Sequence, residues 1–174
     1  MRREYVTFTE HLPVNISLNT IKEYPLHWHN CVEIIFVLKG SIYVQIESET
    51  YEVLEREIEI VNADEPHRIY SNDEYNKILV FKMDIEFFEK YYNDVKNIYF
   101  YTNSTVEWAQ EEEKYQLLRR FLSILTCEVI QKSDDFDEEI EKYMVKLLFH
   151  LLNNFHYLLY DEEDLKENDI QFER

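Results

Sequence analysis

The feature that most constrains the fold is a change in the spacing of apolar residues at about residue 84. Between about residues 26 and 83, apolar and polar residues alternate, so that Ile42, Val44 and Ile46 share one face of SIYVQIES. This period of two predicts short β-strands, and the polar turns between them indicate an antiparallel sandwich or barrel. With 174 residues, the chain is long enough for one domain with its own core.

Beyond Asp84 the apolar residues recur at steps of three and four, which predicts helices. A short helix capped by Asp84 is predicted for DIEFFEKYYN. A longer one is predicted to follow the capping-box sequence STVE at 104–107. The last helix is predicted over roughly 136–160, with Asp135 at its N-cap. The two long helices together predict a helical hairpin.

The last predicted helix is apolar over more than one of its faces. A helix with such a wide apolar surface needs two surfaces to pack against, and its own sheet supplies one of them. A second copy of the protein is the natural source of the other. We therefore predict a homodimer with its contact at Leu147, Leu151 and Leu158.

The charge of the chain argues against nucleic-acid binding by this chain alone. It carries 36 acidic and 18 basic residues, a net charge of −18, and such a surface repels phosphate backbones. No apolar signal sequence opens the chain, and no run approaches the ~18 apolar residues of a membrane span. Two cysteines far apart do not form a disulfide framework, so we expect a cytoplasmic protein without membrane contacts.

The stretch HWHNCVEIIFVLKG carries the candidate chemistry. Read as one strand, it places His27, His29 and Glu33 on the same face, and His67 begins another strand after a turn. Imidazole and carboxylate groups together suit Fe, Mn, Ni or Zn and leave coordination positions open for a substrate. The same residues also suit a hydrogen-bonded polar cluster that lines a ligand pocket, and the sequence leaves both interpretations open.

A family resemblance follows from the spacing of these residues. His27, His29, Glu33 and Gly40 match the first cupin motif, and Pro66-His67 resembles the end of the second. The sequence most closely resembles the cupin sensor domains of AraC-family transcription regulators. The resemblance implies a mainly β chain, with a cupin-type double-stranded β-helix followed by the helical hairpin. It also implies one sensor and dimerisation domain over 1–174, divided into an arm (1–18), a barrel (19–83), a helical part (84–160) and the start of a linker (161–174).

The resemblance further implies a binding function without catalytic residues. The expected effector is a small molecule, a sugar or related metabolite, and the arm is expected to fold over the opening of its pocket. DNA binding would belong to a C-terminal helix-turn-helix part that this chain lacks. The residues expected to line the pocket are His27, His29, Glu33, His67, Tyr43 and Gln45.

A stand-alone metal-dependent cupin enzyme, of the isomerase or dioxygenase type, is the alternative function. It would use the same three histidines and Glu33 as metal ligands. Several turn residues differ from those common in cupins: Ile21 replaces a glycine, Arg56-Glu57 replaces glycine-aspartate, and Ala63 replaces a proline. Cupin metalloenzymes tend to keep these turn residues, so the differences favour a sensor over an enzyme.

Overall fold

The computed structural model describes residues 2–8, 12–101 and 113–160. Two short 3₁₀ helices lie at Glu86–Lys90 and Val95–Asn97. The strands and α-helices are β1 (Arg2–Arg3), β2 (Val14–Asn19), β3 (Glu23–Trp28), β4 (Val32–Lys39), β5 (Ser41–Ile46), β6 (Glu49–Leu54), β7 (Ile58–Val61), β8 (His67–Tyr70), β9 (Lys77–Met83), β10 (Ile98–Tyr101), α1 (Glu113–Gln131), α2 (Phe136–Asn154) and β11 (His156–Leu159).

Two sheets pack face to face and form the barrel region. One has the strand order β1-β3-β8-β5-β6 and the other the order β2-β9-β4-β7. The pairing is antiparallel except between β1 and β3. Both sheets contribute to one buried aliphatic cluster between them: Ile35, Val37, Ile42, Val44, Val53, Val61, Ile69, Ile78 and Val80. The chain is thus mainly β with two C-terminal helices, as predicted.

The four-stranded sheet is the middle layer of the molecule, because both of its faces are buried. On β4, Ile35 and Val37 face the five-stranded sheet, whereas Ile34 and Phe36 face the other way. Those outward residues form a second core with the helices and with β10. A strand covered on both faces has no need of polar residues on one of them, which accounts for the continuous apolar run in VEIIFVLK.

The helices follow the predicted pattern in most respects. In α1, Tyr115, Leu118, Leu122 and Leu125 are buried at the predicted steps of three and four. The capping-box sequence at 104–107 lies outside the described residues. Asp135 occupies the N-cap position of α2 but makes no side-chain hydrogen bond there. The helix predicted after Asp84 is a 3₁₀ helix, and the Asp84 carboxylate accepts a hydrogen bond from the Glu86 amide at 3.1 Å.

The last helix is shorter than predicted. It ends at Asn154, where Phe155 adopts an extended conformation, and β11 follows. Strand β11 pairs with β10, with Leu158 opposite Tyr99. The sequence HYLL continues the apolar pattern of the helix. It forms a strand because it pairs with β10, which is distant in sequence, and local spacing cannot reveal such a pairing.

The leucines predicted to form a dimer contact do not lie on one exposed surface. Leu147 and Leu151 are fully buried in the chain's own core, where α2 packs against α1 and the middle sheet. Leu158 is half exposed, but it lies on β11 and not on the helix. The chain itself therefore covers the face of α2 on which a dimer contact is predicted. The prediction that Leu147 and Leu151 form this contact is wrong.

Candidate functional site

The stretch that carries the candidate site is not one strand, as predicted from its alternation, but two. Strand β3 ends at Trp28, the chain crosses between the sheets at 29–31, and β4 begins at Val32. His27 therefore belongs to the five-stranded sheet and Glu33 to the middle sheet. The Asp64 amide donates a hydrogen bond to the His29 carbonyl at 2.8 Å and so holds the crossing.

The crossing brings three of the four predicted ligands together with the fourth, His67 of β8. One ligand atom from each of His27, His29, Glu33 and His67 lies within 4.8 Å of the others. The His29 Nε2 to Glu33 Oε2 distance is 3.0 Å, and the His67 Nε2 to Glu33 Oε1 distance is 3.8 Å. All four residues are buried, none more than 3% exposed. The ligand set predicted from the motif spacing is therefore one compact cluster, named below the histidine cluster.

Backbone carbonyls fix the orientation of all three imidazole rings. The Nδ1 atoms of His27, His29 and His67 each lie near a carbonyl oxygen two residues away, at 3.0, 3.1 and 2.9 Å respectively. A carbonyl only accepts, so each Nδ1 carries a hydrogen. The Nε2 atoms of His29 and His67 face Glu33, and that of His27 faces Glu4. Burial lowers the pKa of His67 to about 4. At neutral pH His67 is therefore uncharged and offers a lone pair at Nε2.

Glu33 is a buried carboxylate at the centre of the cluster. Burial raises its pKa, but the hydrogen bond with His29 and the charge of Lys82 act against burial, and the pKa is lowered overall. Its Oε1 atom and His67 Nε2 are buried without a hydrogen-bond partner among the described residues. These two unsatisfied atoms face each other across 3.8 Å, and buried polar atoms without a partner are uncommon in folded proteins.

Two further charged residues complete the site, and the sequence reasoning missed both. Lys82 lies opposite Glu33 in the β4–β9 register, with its Nζ 3.4 Å from Glu33 Oε2. The same Nζ lies 2.5 Å from Glu4 Oε2, which is also 3.3 Å from His27 Nε2. Lys82 could have been found, because alternation along KILVFKM places it on the inner face with Ile78 and Val80. Glu4 had no comparable signal, since it lies in a polar segment outside the motifs.

Glu4 and Lys82 each stabilise the charged form of the other. The hydrogen bond with His27 and the nearby Lys82 outweigh the effect of burial and lower the pKa of Glu4 to about 2. Burial lowers the pKa of Lys82, but Glu33 and Glu4 outweigh it and raise the pKa overall. Glu4 and Lys82 are therefore both charged at neutral pH and form an ion-paired lid beside the histidines.

The N-terminal segment is held against the sheet at this point. Strand β1 pairs with β3 in parallel, placing Arg2 opposite His27, and the Glu4 amide donates to the Trp28 carbonyl at 2.9 Å. The Arg3 guanidinium lies 4.9 Å from the centroid of the Trp28 ring. Residues 2–4 of the predicted arm therefore run along the edge of the five-stranded sheet and carry Glu4 to the histidine cluster, whereas 14–18 belong to β2 of the middle sheet.

Tyr43 and Gln45 do not belong to this site, in contrast to the prediction. In β5 they alternate with the buried Ile42 and Val44, so they lie on the outer face of the five-stranded sheet. Tyr43 stacks on Tyr70 of β8, with the ring centroids 5.2 Å apart. His67 faces the opposite side of the same sheet, and no side chain of the outer face can reach the cluster.

The loop before His67 links the cluster to the C-terminal strand pair. The Glu65 carboxylate accepts hydrogen bonds from the Asn62 amide at 2.8 Å and from the Tyr99 hydroxyl. The Asn62 side chain donates to the Phe100 carbonyl at 3.1 Å and accepts from the Phe100 amide at 2.7 Å. Burial raises the pKa of Glu65. These bonds, named below the Asn62–Glu65 link, tie the loop that positions His67 to β10.

The comparison with known families identifies the chain. Residues 20–148 match the family model described as "AraC-like ligand binding domain". The chain belongs to this family. The match contains all four residues of the histidine cluster, together with α1 and most of α2. No curated protein matches the sequence.

Solved structures similar to this AraC-like domain share part of its chain. A conserved protein of unknown function from Streptococcus pyogenes is 22% identical (TM-score 0.38), and the similarity covers 41% of this chain and 64% of that one, less than two thirds of its length. A cupin-2 domain containing protein from Shewanella frigidimarina is 16% identical (TM-score 0.39), with 41% and 71% covered. An RmlC-like cupin with a double-stranded beta-helix fold from Methanocaldococcus jannaschii is 18% identical (TM-score 0.36), with 40% and 67% covered.

The donor set of the AraC-like domain fits a divalent metal ion. Three Nε2 atoms and one carboxylate converge, and two of these four groups have unsatisfied atoms. His27, His29, Glu33 and His67 would hold the ion, which would act as a Lewis acid toward a bound ligand.

None of the helices in the described ranges is long and apolar enough to cross a membrane.

Proposed function

We propose that the chain senses a small molecule at the histidine cluster. The observation that carries the proposal is the pair of buried, unsatisfied atoms, Glu33 Oε1 and His67 Nε2, beside the ion pair that Glu4 forms over the site. A polar ligand would satisfy both atoms. The ligand is a sugar or a related metabolite, whose hydroxyl groups both donate and accept hydrogen bonds. The site binds and does not catalyse.

The response would be a shift between two arrangements of the N-terminal segment. Glu4 contacts His27 and Lys82, which are side chains that a polar ligand would also contact. A ligand that takes over these contacts releases Glu4, and one that adds to them holds Glu4 in place. In either case the ligand changes the population of the docked segment by its differential affinity for the two arrangements.

The Asn62–Glu65 link would carry the response towards the C-terminal end of the described chain. The carbonyl of Glu65 orients His67, and the side chain of Glu65 accepts from Tyr99 of β10. Strand β11, which follows α2, pairs with β10. A displacement of His67 by a ligand would therefore reach this strand pair through hydrogen bonds and not only through apolar packing.

The proposed biological role is the sensing part of a cytoplasmic AraC-family transcription regulator that acts as a homodimer. DNA binding would belong to a helix-turn-helix part of a longer protein. Sequencing the gene past codon 174 tests this role. A reading frame with two helix-turn-helix patterns over about a hundred further residues supports it. An immediate stop codon contradicts the regulator role and leaves the binding function to be tested separately.

Ligand binding is tested by isothermal titration of the chain with a panel of sugars, sugar acids and polyols. We expect saturable binding by at least one class and at least about a tenfold loss of affinity in Glu33→Gln, because a charged hydrogen bond is lost. Tyr43→Phe, on the outer face of the same sheet, is the control and should bind as the wild type does. Equal affinity in Glu33→Gln and wild type would show that the ligand binds elsewhere.

A bound metal ion is a second element of the proposal, favoured by the convergence of four donors within 4.8 Å. Elemental analysis of tag-free protein should find about one divalent ion per chain, and a chelator should lower the melting temperature. His29→Gln should abolish both effects. Protein without stoichiometric metal, and with a melting temperature that a chelator leaves unchanged, would restrict the site to organic ligands.

A further inference from the structure

A concave site lies on the side of the middle sheet opposite the histidine cluster. It is a cleft of about 460 Å³ between α1 and the turn that joins β6 to β7. This volume lies within the usual range of small-molecule sites, roughly 300–1,000 Å³. The residues that line it, named below the arginine cleft, are Phe36, Arg56, Gln116, Arg119, Arg120 and Ser123. Phe36 is on the helix-facing side of β4 and Glu33 on the opposite side, so the cleft is separate from the histidine cluster.

The cleft concentrates positive charge in a chain that is strongly acidic. Three of the seven arginines line it, although the net charge of the chain is −18. Gln116, Arg119, Arg120 and Ser123 are spaced along α1 so that they share one helix face. Arg119 also donates from Nη1 to the Arg56 carbonyl at 3.0 Å and thereby ties the helix to the turn. The arginines thus lie on two walls of the cleft, Arg56 on the turn and Arg119 and Arg120 on the helix.

Two of the three guanidinium groups have no acidic partner in the described part of the chain. The guanidinium groups of Arg56 and Arg120 make no ion pair and donate no hydrogen bond there. The two carboxylates of the turn are engaged with backbone amides: Glu55 accepts from Gly40 at 3.3 Å and Glu57 from Leu54 at 2.8 Å. Neither carboxylate forms an ion pair with the Arg56 guanidinium in the described part of the chain.

The backbone conformation of Arg56 suits glycine better than arginine. Its φ is +73°, in the left-handed region that glycine adopts at lower cost than any residue with a Cβ. Glu47, Asp64 and Lys132 also have a positive φ, so this conformation does not by itself indicate a ligand. It does mean that glycine would fit the turn, so that Arg56→Gly should remove the guanidinium without disturbing the fold.

We propose that the arginine cleft binds a small phosphate-bearing molecule. The planar fork of a guanidinium matches two phosphate oxygens, and two or three such groups around one cavity suit a dianion better than a single carboxylate. Phe36, which also lines the cleft, offers an apolar surface to the rest of the ligand. The site is independent of the histidine cluster, so this chain would respond to two ligands.

The experiment is a calorimetric titration of the whole chain with inorganic phosphate, glycerol 3-phosphate and acetate at low ionic strength. We expect saturable binding of both phosphates to one site, weaker binding of acetate, and loss of affinity as salt is added. Arg120→Gln should weaken phosphate binding by about tenfold, the usual effect of losing a charged hydrogen bond. The matched control is Arg68→Gln. Arg68 lies on β8, outside the cleft, and is paired with Glu23 of β3. The control variant should bind phosphate with the affinity of the wild type.

Arg56→Gly separates binding from folding. Glycine suits φ +73°, so this variant should be at least as stable as the wild type while binding phosphate about tenfold more weakly. Phosphate affinity that is unchanged in both Arg56→Gly and Arg120→Gln would overturn the proposal. So would saturation by a glutamate-rich peptide in the absence of any binding of phosphate, which would make the cleft a docking site for acidic protein segments. Either result leaves sugar binding at the histidine cluster unaffected.

Discussion

Removing the charge of Glu4 tests the lid of the histidine cluster most directly. In Glu4→Gln the contacts with Lys82 and His27 lose their ionic character but keep a side chain of similar size. The pKa of Glu4 falls from 4.5 to about 2 in the folded chain, and each unit corresponds to about 1.4 kcal/mol. The whole shift would be worth about 3 kcal/mol, and because the side chain is 27% exposed we expect about 2 kcal/mol at neutral pH after screening by solvent.

The loss of stability in Glu4→Gln should depend on pH, and this dependence distinguishes a lost charge from a general loss of packing. A carboxyl whose pKa is lowered by folding contributes stability that is fully present above its unfolded pKa of 4.5 and is lost as the pH falls towards about 2. Urea denaturation of wild type and Glu4→Gln should therefore differ by about 2 kcal/mol at pH 7, and the difference should shrink steadily below pH 4.5. Glu74→Gln, an exposed change in the loop between β8 and β9, is the control. If the difference at pH 7 is below about 0.5 kcal/mol or does not change with pH, the ion-paired lid does not hold the segment.

Three further substitutions test the fold around the site. Gly40→Ala should destabilise by about 1–3 kcal/mol in urea denaturation, because φ is +74° and an added Cβ would overlap the Asp73 carboxylate; an unchanged midpoint would mean that the turn rearranges freely. Tyr99→Phe leaves a buried oxygen of Glu65 without its donor and should lower the free energy of unfolding by about 1–3 kcal/mol at pH 7, whereas a neutral effect would show that water replaces the hydroxyl. Leu151→Ala should lower it by about 2–5 kcal/mol at all protein concentrations, because the side chain is in the core of one chain; a loss that appears only on dilution would instead restore the predicted dimer contact.

The parts of the fold that the sequence could predict are those with a regular period. Alternation located most of the strands up to Met83, and the three-and-four spacing of Tyr115, Leu118 and Leu122 identified the buried face of α1. The end of α2 could not be found in this way. HYLL is compatible with either state, and its pairing with a strand some sixty residues earlier decides the outcome.

The same division applies to the site. The spacing of His27, His29 and Glu33, with His67 after the turn, predicted the cluster although the assumed single strand was wrong, because the crossing between sheets preserves the convergence of the side chains. Tyr43 was misplaced, since alternation gives the two faces of a strand but does not say which face is inside.

The layered arrangement of the sheets has a consequence for hydrogen exchange. Amides of β4 and β9, covered on one side by the helices and on the other by the second sheet, should exchange only when the whole chain unfolds. Amides of β3 and β8 belong to the outer layer and should open in smaller fluctuations. The histidine cluster joins these two layers, since His27 and His67 come from the outer sheet and Glu33 and Lys82 from the middle one. A bound ligand would therefore slow exchange mainly in the outer sheet, by fastening a fluctuating layer to one that already opens only with global unfolding.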